Sequence, residues 1–348
     1  MKKFLLLLSG IIFAITAIAA FAEDEKNVCV YDDDVIDGNL LTRSCWFYDD
    51  AGQKTIDPEA GYAGKTNVYE HLIDIEGRFE EILEMYLDPD GNLISGPNGY
   101  AKSTTDYVLH EDGPVCRTMY AEGDPENDLC GFTRRYFDAN EQPVFVRNGD
   151  INFRYSSGIS WIGTSGMYIE DGGFASVSML YTRDDSQYMQ KTSYFDTDGE
   201  PLLYGDVYAS FESIIILADH TWIQRYLGTD GELIETPLGY ACSVQSYTED
   251  NKESFIRYYD AQNQPTTDAQ LGVHAIHYFY GPGYRQIPRT DYLDVNDNLT
   301  NISEGYSTII NEYREKSPDA PLSIADRQPI NTYYLDKDGN IVELDKSK

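Results

Sequence analysis

One short phrase recurs along most of this chain and constrains its fold more than any other feature. It reads aromatic, aromatic or Leu, Asp, any residue, Asp or Asn, then Gly or Asn. Copies include Phe47-Tyr48-Asp49-Asp50-Ala51-Gly52, Tyr86-Leu87-Asp88-Pro89-Asp90-Gly91 and Tyr136-Phe137-Asp138-Ala139-Asn140. Further copies begin at Tyr194, Tyr226, Tyr258 and Tyr292, and the last is Tyr334-Leu335-Asp336-Lys337-Asp338-Gly339. From Tyr194 the steps are 32, 32, 34 and 42 residues, whereas the earlier steps are 39, 50 and 58, so the first half carries insertions. Self-similarity at this period is the signature of a repeat architecture.

A second marker follows each turn. Gly61-Tyr62-Ala63, Gly99-Tyr100-Ala101 and Gly239-Tyr240-Ala241 are its clear copies. Gly173-Phe174-Ala175, Gly272-Val273-His274 and Gly305-Tyr306-Ser307 are weaker ones. A third marker is a Tyr followed by a polar turn, as at Tyr69 and Tyr247. Asp and Asn hydrogen-bond their own backbone and Gly accepts positive φ, so the Asp phrases supply turns. Their flanks place Tyr, Phe, Val and Ile at alternate positions, which suits strands. Glu80–Leu87 has a helix-like composition, but its place in the repeat makes it a strand. Each repeat therefore reads as two hairpins. A lone hairpin is marginal, so neighbours must stack to bury a shared face. The expected fold is all-β, an elongated array of tandem β-hairpin repeats with tyrosine ladders between units; the chain holds 29 Tyr, enough to make ring packing a leading stabilising contribution.

The N-terminus reads as a secretory signal. Lys2 and Lys3 precede an uncharged apolar run from Phe4 to Phe21, and Ala20-Phe21-Ala22 offers a cleavage site before Glu23. The competing reading is an uncleaved anchor, since the run is about long enough to span a bilayer. Cleavage after Ala22 leaves 326 of the 348 residues, divided as residues 23–44 (an N-terminal disulfide hairpin), 45–146 (repeats), 147–192 (an irregular Gly/aromatic insertion) and 193–348 (repeats). The whole chain has 26 basic against 59 acidic residues. Such a surface repels nucleic acid and an anionic membrane, so neither is expected as a partner of the mature chain. It suits a neutral glycan, a cationic partner, divalent cations, or solubility alone.

Five cysteines lie in the mature part. Cys29 and Cys45 are equidistant from the turn-like Asp37-Gly38-Asn39, and Cys116 and Cys130 from Gly123. Cross-strand pairs in hairpins have this symmetry, and an oxidising compartment would close both. The expected disulfides are Cys29–Cys45 and Cys116–Cys130, although spacing alone leaves other connectivities open. Cys242 reads as a buried free thiol.

These phrases resemble the bacterial surface and secreted proteins with tandem Tyr-Tyr-Asp-x-x-Gly-x and Gly-Tyr-Ala repeats. More distantly, Tyr333 to Gly339 is similar to a cell-wall-binding repeat of the choline- and glucan-binding type. The resemblance implies a secreted, non-catalytic protein that binds a cell-wall or surface glycan, or a surface protein. The wall-binding family builds Trp-rich cages on shorter units, whereas this chain has only Trp46, Trp161 and Trp222, which turns the expectation away from choline.

No cofactor or metal is expected. The Asp-x-Asp-Gly turns place Gly fourth, and the residue twelfth from Asp88 is Gly99, which is not the spacing of an EF-hand calcium loop. His274 and His277 are three apart and on a strand would face opposite ways. Nucleophile elbow, zinc-protease helix and phosphate loop are all absent from the sequence. No catalytic residue stands out. An envelope hydrolase with paired carboxylates ranks last, behind an acidic array that meets a cationic partner. The candidate binding residues lie where the repeat breaks: Tyr155, Trp161, Tyr168 and Phe174 among the glycines of 147–175, and Tyr280 and Tyr284 around Gly281-Pro282-Gly283.

Overall fold

A computed structural model describes residues 29–32, 34–71, 80–109, 129–147, 173–183, 186–249, 252–281, 286–314 and 328–344. The expected Cys116–Cys130 disulfide, the signal segment, and Tyr155, Trp161, Tyr168 and Tyr284 involve residues outside this set. Among the described residues every regular element is a strand. The chain forms two compact units, one drawn from Met1–Thr105 and Tyr136–Val144, the other from Asp106–Arg135 and Phe145–Lys348.

The first unit holds β1 (Val30–Tyr31), β2 (Val35–Asp37), β3 (Leu40–Trp46), β4 (Gly64–Glu70), β5 (Glu80–Leu87) and the start of β6 (Lys102–Leu109). Strands β2 to β6 pair in chain order, all antiparallel. Glu80–Leu87 is thus a strand, its ladder set by the partners on both sides. In the second unit, the part of β7 (Leu129–Phe137) that precedes Tyr136 pairs with β10 (Ser176–Arg183). From β10 the chain continues as an antiparallel meander: β11 (Gln187–Phe195), β12 (Ser210–Ile216), β13 (Thr221–Leu227), β14 (Cys242–Tyr247), β15 (Glu253–Tyr259), β16 (Ala275–Phe279), β17 (Arg289–Leu293), β18 (Thr308–Glu312) and β19 (Asn331–Leu335). Two short strands, β8 (Val146–Arg147) and β9 (Gly173–Phe174), pair apart from it.

The Asp phrase builds one turn throughout. In each of the eight copies the N–H of the first turn residue donates to the carbonyl four residues on, as Asp88 to Asn92 at 2.8 Å, and the N–H three residues on donates back, as Gly91 to Asp88 at 3.1 Å. The Asp side chain completes the turn: Asp88 Oδ1 accepts the N–H groups of Asp90 and Asn92 at 2.9 and 2.8 Å. Asp49, Asp138, Asp196, Asp260, Asp294 and Asp336 do the same. One oxygen of each, Oδ1, thus accepts two backbone N–H groups, the turn chemistry that the sequence suggests. The residue three after Asp is left-handed in every copy, and Glu141, Asn263 and Asp297 fill the slot where Gly is missing.

The turn does more than join two long strands. The residue six after the second member of the pair makes only an isolated bridge to it, as Leu87 with Leu93. The chain then reaches the Gly-Tyr-Ala marker before the next strand begins. That marker fastens neighbouring repeats. Ala63 N–H donates to Leu87 O at 2.8 Å while its carbonyl accepts from Phe47 N–H at 2.8 Å. Ala101, Ala241, His274 and Ser307 repeat the bridge, each linking one Asp phrase to the next. Ala63, Ala101, Ala241 and Ser307 are wholly buried, which explains why the position is small. A further copy, Val207-Tyr208-Ala209, fills the slot without a Gly at its first position.

Rings from the two markers alternate to form the core. In the first unit the ladder runs Phe47, Tyr62, Tyr86, Tyr100, Tyr136, with centroids 4.9–5.7 Å apart. In the second, Phe174, Tyr194, Tyr208, Tyr226, Tyr240 and Tyr258 follow one another at 4.7–6.2 Å. Val273 interrupts the row and is buried with Ile276 and Ile302 instead. The row resumes at Tyr292, Tyr306 and Tyr334.

Two expected boundaries change. Residues 147–192 are not irregular throughout, because Ser176–Arg183 and Gln187–Phe195 form a fully registered hairpin that buries Val177 and Met179. The N-terminal hairpin is not a separate module, because β3 pairs along its whole length with β4, from Leu40↔Glu70 to Trp46↔Gly64.

Candidate functional site

The disulfide builds the first feature of the site. Cys29 and Cys45 are bonded, with Cα atoms 5.4 Å apart. The bond ties β1 across the outer edge of β3, where only Val30↔Trp46 and Tyr31↔Cys45 pair. Two pairs are too few to hold such a strand by hydrogen bonding alone. Tyr31, two residues after Cys29, is 68% exposed.

Strand alternation supplies the rest. Residues two apart on a strand share a face, and the register sets Cys45 beside Lys65 and Arg43 beside Asn67. The ladder between β4 and β5 then shifts between Val68 and Tyr69, so that Tyr69 lies opposite Glu81. The result is an open groove of about 450 Å³ lined by Tyr31, Tyr69, Arg43, Lys65, Asn67, Glu81 and Cys45.

Its polar groups are held in place. Asn67 Nδ2 donates to Glu81 Oε2 at 2.7 Å. Arg43 makes two hydrogen bonds to Asp34, at 2.9 and 2.7 Å, a bidentate pair that fixes the guanidinium plane. Lys65 Nζ lies 3.2 Å from Glu84, which also accepts Tyr100 O–H at 3.1 Å and so links the groove to the aromatic ladder. The Arg43 hydrogen bond holds the Asp34 carboxyl below its ordinary range. Burial, then the nearby Glu81 charge, raises the Tyr69 phenol, which stays a neutral donor. The groove thus offers two rings, an amide, a carboxylate and two cations. That set can stack on the face of a sugar ring and hydrogen-bond its hydroxyls.

The expected site residues fare differently. Phe174 belongs to the core and not to a binding surface: it is 2% exposed and packs on Tyr194 and Tyr204 at 5.3 and 6.1 Å. Its Gly-Phe-Ala context is a true copy of the second marker, which places its ring in the ladder. Tyr280 is half-buried, with Lys252 Nζ 5.4 Å from its ring centroid. Cys242 is a buried free thiol, and burial raises its pKa. His274 is buried and its Nδ1 pairs with Thr266 O at 2.9 Å, whereas His277 lies between Phe255 and Phe279. The groove itself escaped the sequence, although Tyr69 was visible as part of the third marker. Tyr31, Arg43 and Glu81 carry no motif; register alone brings them together.

Among the described residues, no group of three or more His, Cys, Asp or Glu is placed to hold a metal. No helix there is long and apolar enough to cross a membrane. No protein-family model matches the chain, and no curated protein matches it.

Proposed function

We propose that this is a secreted, non-catalytic repeat protein that binds a neutral glycan of the cell envelope through the Tyr31–Tyr69 groove. The observation that carries the reading is the pairing of two tyrosines with the fixed Asn67–Glu81 amide–carboxylate pair in one open depression. Aromatic faces with a few oriented polar groups are what a ligand site needs. The apolar signal-like start and the Cys29–Cys45 disulfide support export to an oxidising compartment. The acidic composition suits an uncharged ligand better than a polyanion.

The test is retention of the purified mature protein on insoluble wall polysaccharide. Tyr69→Ala and Asn67→Ala should each weaken retention at least about ten-fold. The reading fails if wild type is not retained, or if both variants bind like wild type while remaining folded.

A further inference from the structure

The groove lies at a fixed place in the repeat, so its equivalents can be located by register. Ala63 and Ala241 make the same two backbone hydrogen bonds in their respective copies. Four residues after them stand Asn67 and Gln245, and six after them Tyr69 and Tyr247. The ladder slips at the same step in both, between Val68 and Tyr69 and between Ser246 and Tyr247. After the slip Tyr69 faces Glu81, and Tyr247 faces Glu253. The second unit therefore places an amide, a tyrosine and a glutamate at the same register positions as the first.

What differs is the neighbouring strand. Asn67 stands opposite Arg43, but Gln245 stands opposite Trp222. The Trp222 indole N–H donates to Ser213 Oγ at 2.7 Å, which fixes the ring on the sheet, and the residue is half-buried. Gln245 accepts Tyr247 O–H at 2.9 Å and directs its amide toward Gln224, 3.5 Å away. Glu253 is half-buried, and burial holds its carboxyl above the ordinary range. A third copy of the amide and tyrosine, Asn311 and Tyr313, is closed by the chain itself. Asn311 Nδ2 donates to Ile287 O at 3.0 Å, and Ile287 N–H donates to the Tyr313 hydroxyl oxygen at 3.1 Å.

We propose that Trp222, Gln245, Tyr247 and Glu253 form a second saccharide-binding site, for a neutral sugar ring stacked on the indole with its hydroxyls on the amide and carboxylate. An indole offers a larger face than the Tyr31 phenol, and without an arginine opposite the amide the site favours an uncharged ring. The inference extends the reading of the first groove and rests on it. Two sites on one chain would raise avidity for a polymeric glycan without any new contact.

Calorimetric titration of the full mature chain with cellotetraose and with tetra-N-acetylchitotetraose tests this. The expected result is two sites per chain for at least one probe. Trp222→Ala or Gln245→Ala should weaken one site at least about ten-fold, and Tyr69→Ala the other. Gln245→Ala removes a half-buried polar side chain and serves if Trp222→Ala does not fold. A single site lost with Tyr69→Ala and untouched by Gln245→Ala overturns the second site and leaves the first. A single site lost only with Gln245→Ala overturns the first groove instead. Binding of neither sugar overturns both.

Discussion

Tyr100 is the ring that most directly tests whether the ladder holds the repeats together. It is 2% exposed and lies between Tyr86 and Tyr136, 5.5 and 4.9 Å from their centroids, both edge-on. Its hydroxyl donates to the buried Glu84 carboxylate at 3.1 Å. Truncating a large buried aromatic to Ala costs about 3–5 kcal/mol. Two edge-on pairs contribute about 0.5–1.5 kcal/mol each beyond burial, and part of that is already inside the truncation figure. A hydrogen bond to a charged group contributes about 1.5–3 kcal/mol. Tyr100→Phe should therefore cost about 1–3 kcal/mol and Tyr100→Ala about 4–6 kcal/mol. Repeat arrays depart from two-state behaviour, so urea melts should be paired with hydrogen exchange resolved by strand. The Ala variant should lose protection first in β5 and β6, because repeats stabilise mainly their neighbours. If Tyr100→Ala costs under about 1 kcal/mol, or protection falls evenly along the chain, the rings are not what couples the repeats.

Stability should fall at both ends of the pH scale. Asn92 and Asn340 amides hold Asp88 and Asp336 below the usual carboxylate range, and the backbone N–H groups of Gln142 and Asn298 do so for Asp138 and Asp294. A depressed folded pKa gives stability that is present above the unfolded value of about 4 and lost as pH falls through the folded one. Burial pushes Tyr194 up to about 12 and raises Tyr226 and Tyr258 as well. That contribution is whole below the unfolded value of about 10 and lost as pH rises beyond it. Urea midpoints that stay flat below about pH 4 and above about pH 10 would contradict this account. Separately, Gly239→Ala should destabilise by more than about 1 kcal/mol. Gly239 has φ +85°, and an added Cβ would lie 2.7 Å from Thr267 O. A thermal melt matching wild type would count against that conformation.

Much of the fold was legible because its determinants are local. An Asp that accepts two N–H groups of its own turn, and a left-handed slot three residues later, need only nearby sequence, and so the Asp phrases marked the turns correctly. The Tyr ladder followed from repetition: rings at fixed offsets must meet once repeats lie side by side. Locality also explains the failures. The Gly173–Ala175 copy sat among other glycines and looked like a loop, yet Phe174 is core because the Ala175 hydrogen bond to Phe195 sets it in register. The extent of the β10–β11 hairpin was hidden because the neighbouring insertion broke the period.

The alternation and the Asp turns, written in the sequence, were enough to specify a β array, and the symmetric spacing of Cys29 and Cys45 pointed to their pairing; that Cys242 is a free thiol came from the structure. The groove itself came from the pairing of strands. Arg43, Asn67 and Glu81 come from three strands and share no motif, and they converge because antiparallel register and one slipped step place them on the same face. Turn chemistry is written within a few residues, but a groove depends on how distant strands are aligned, and a shift of one residue would turn each of these side chains to the other face.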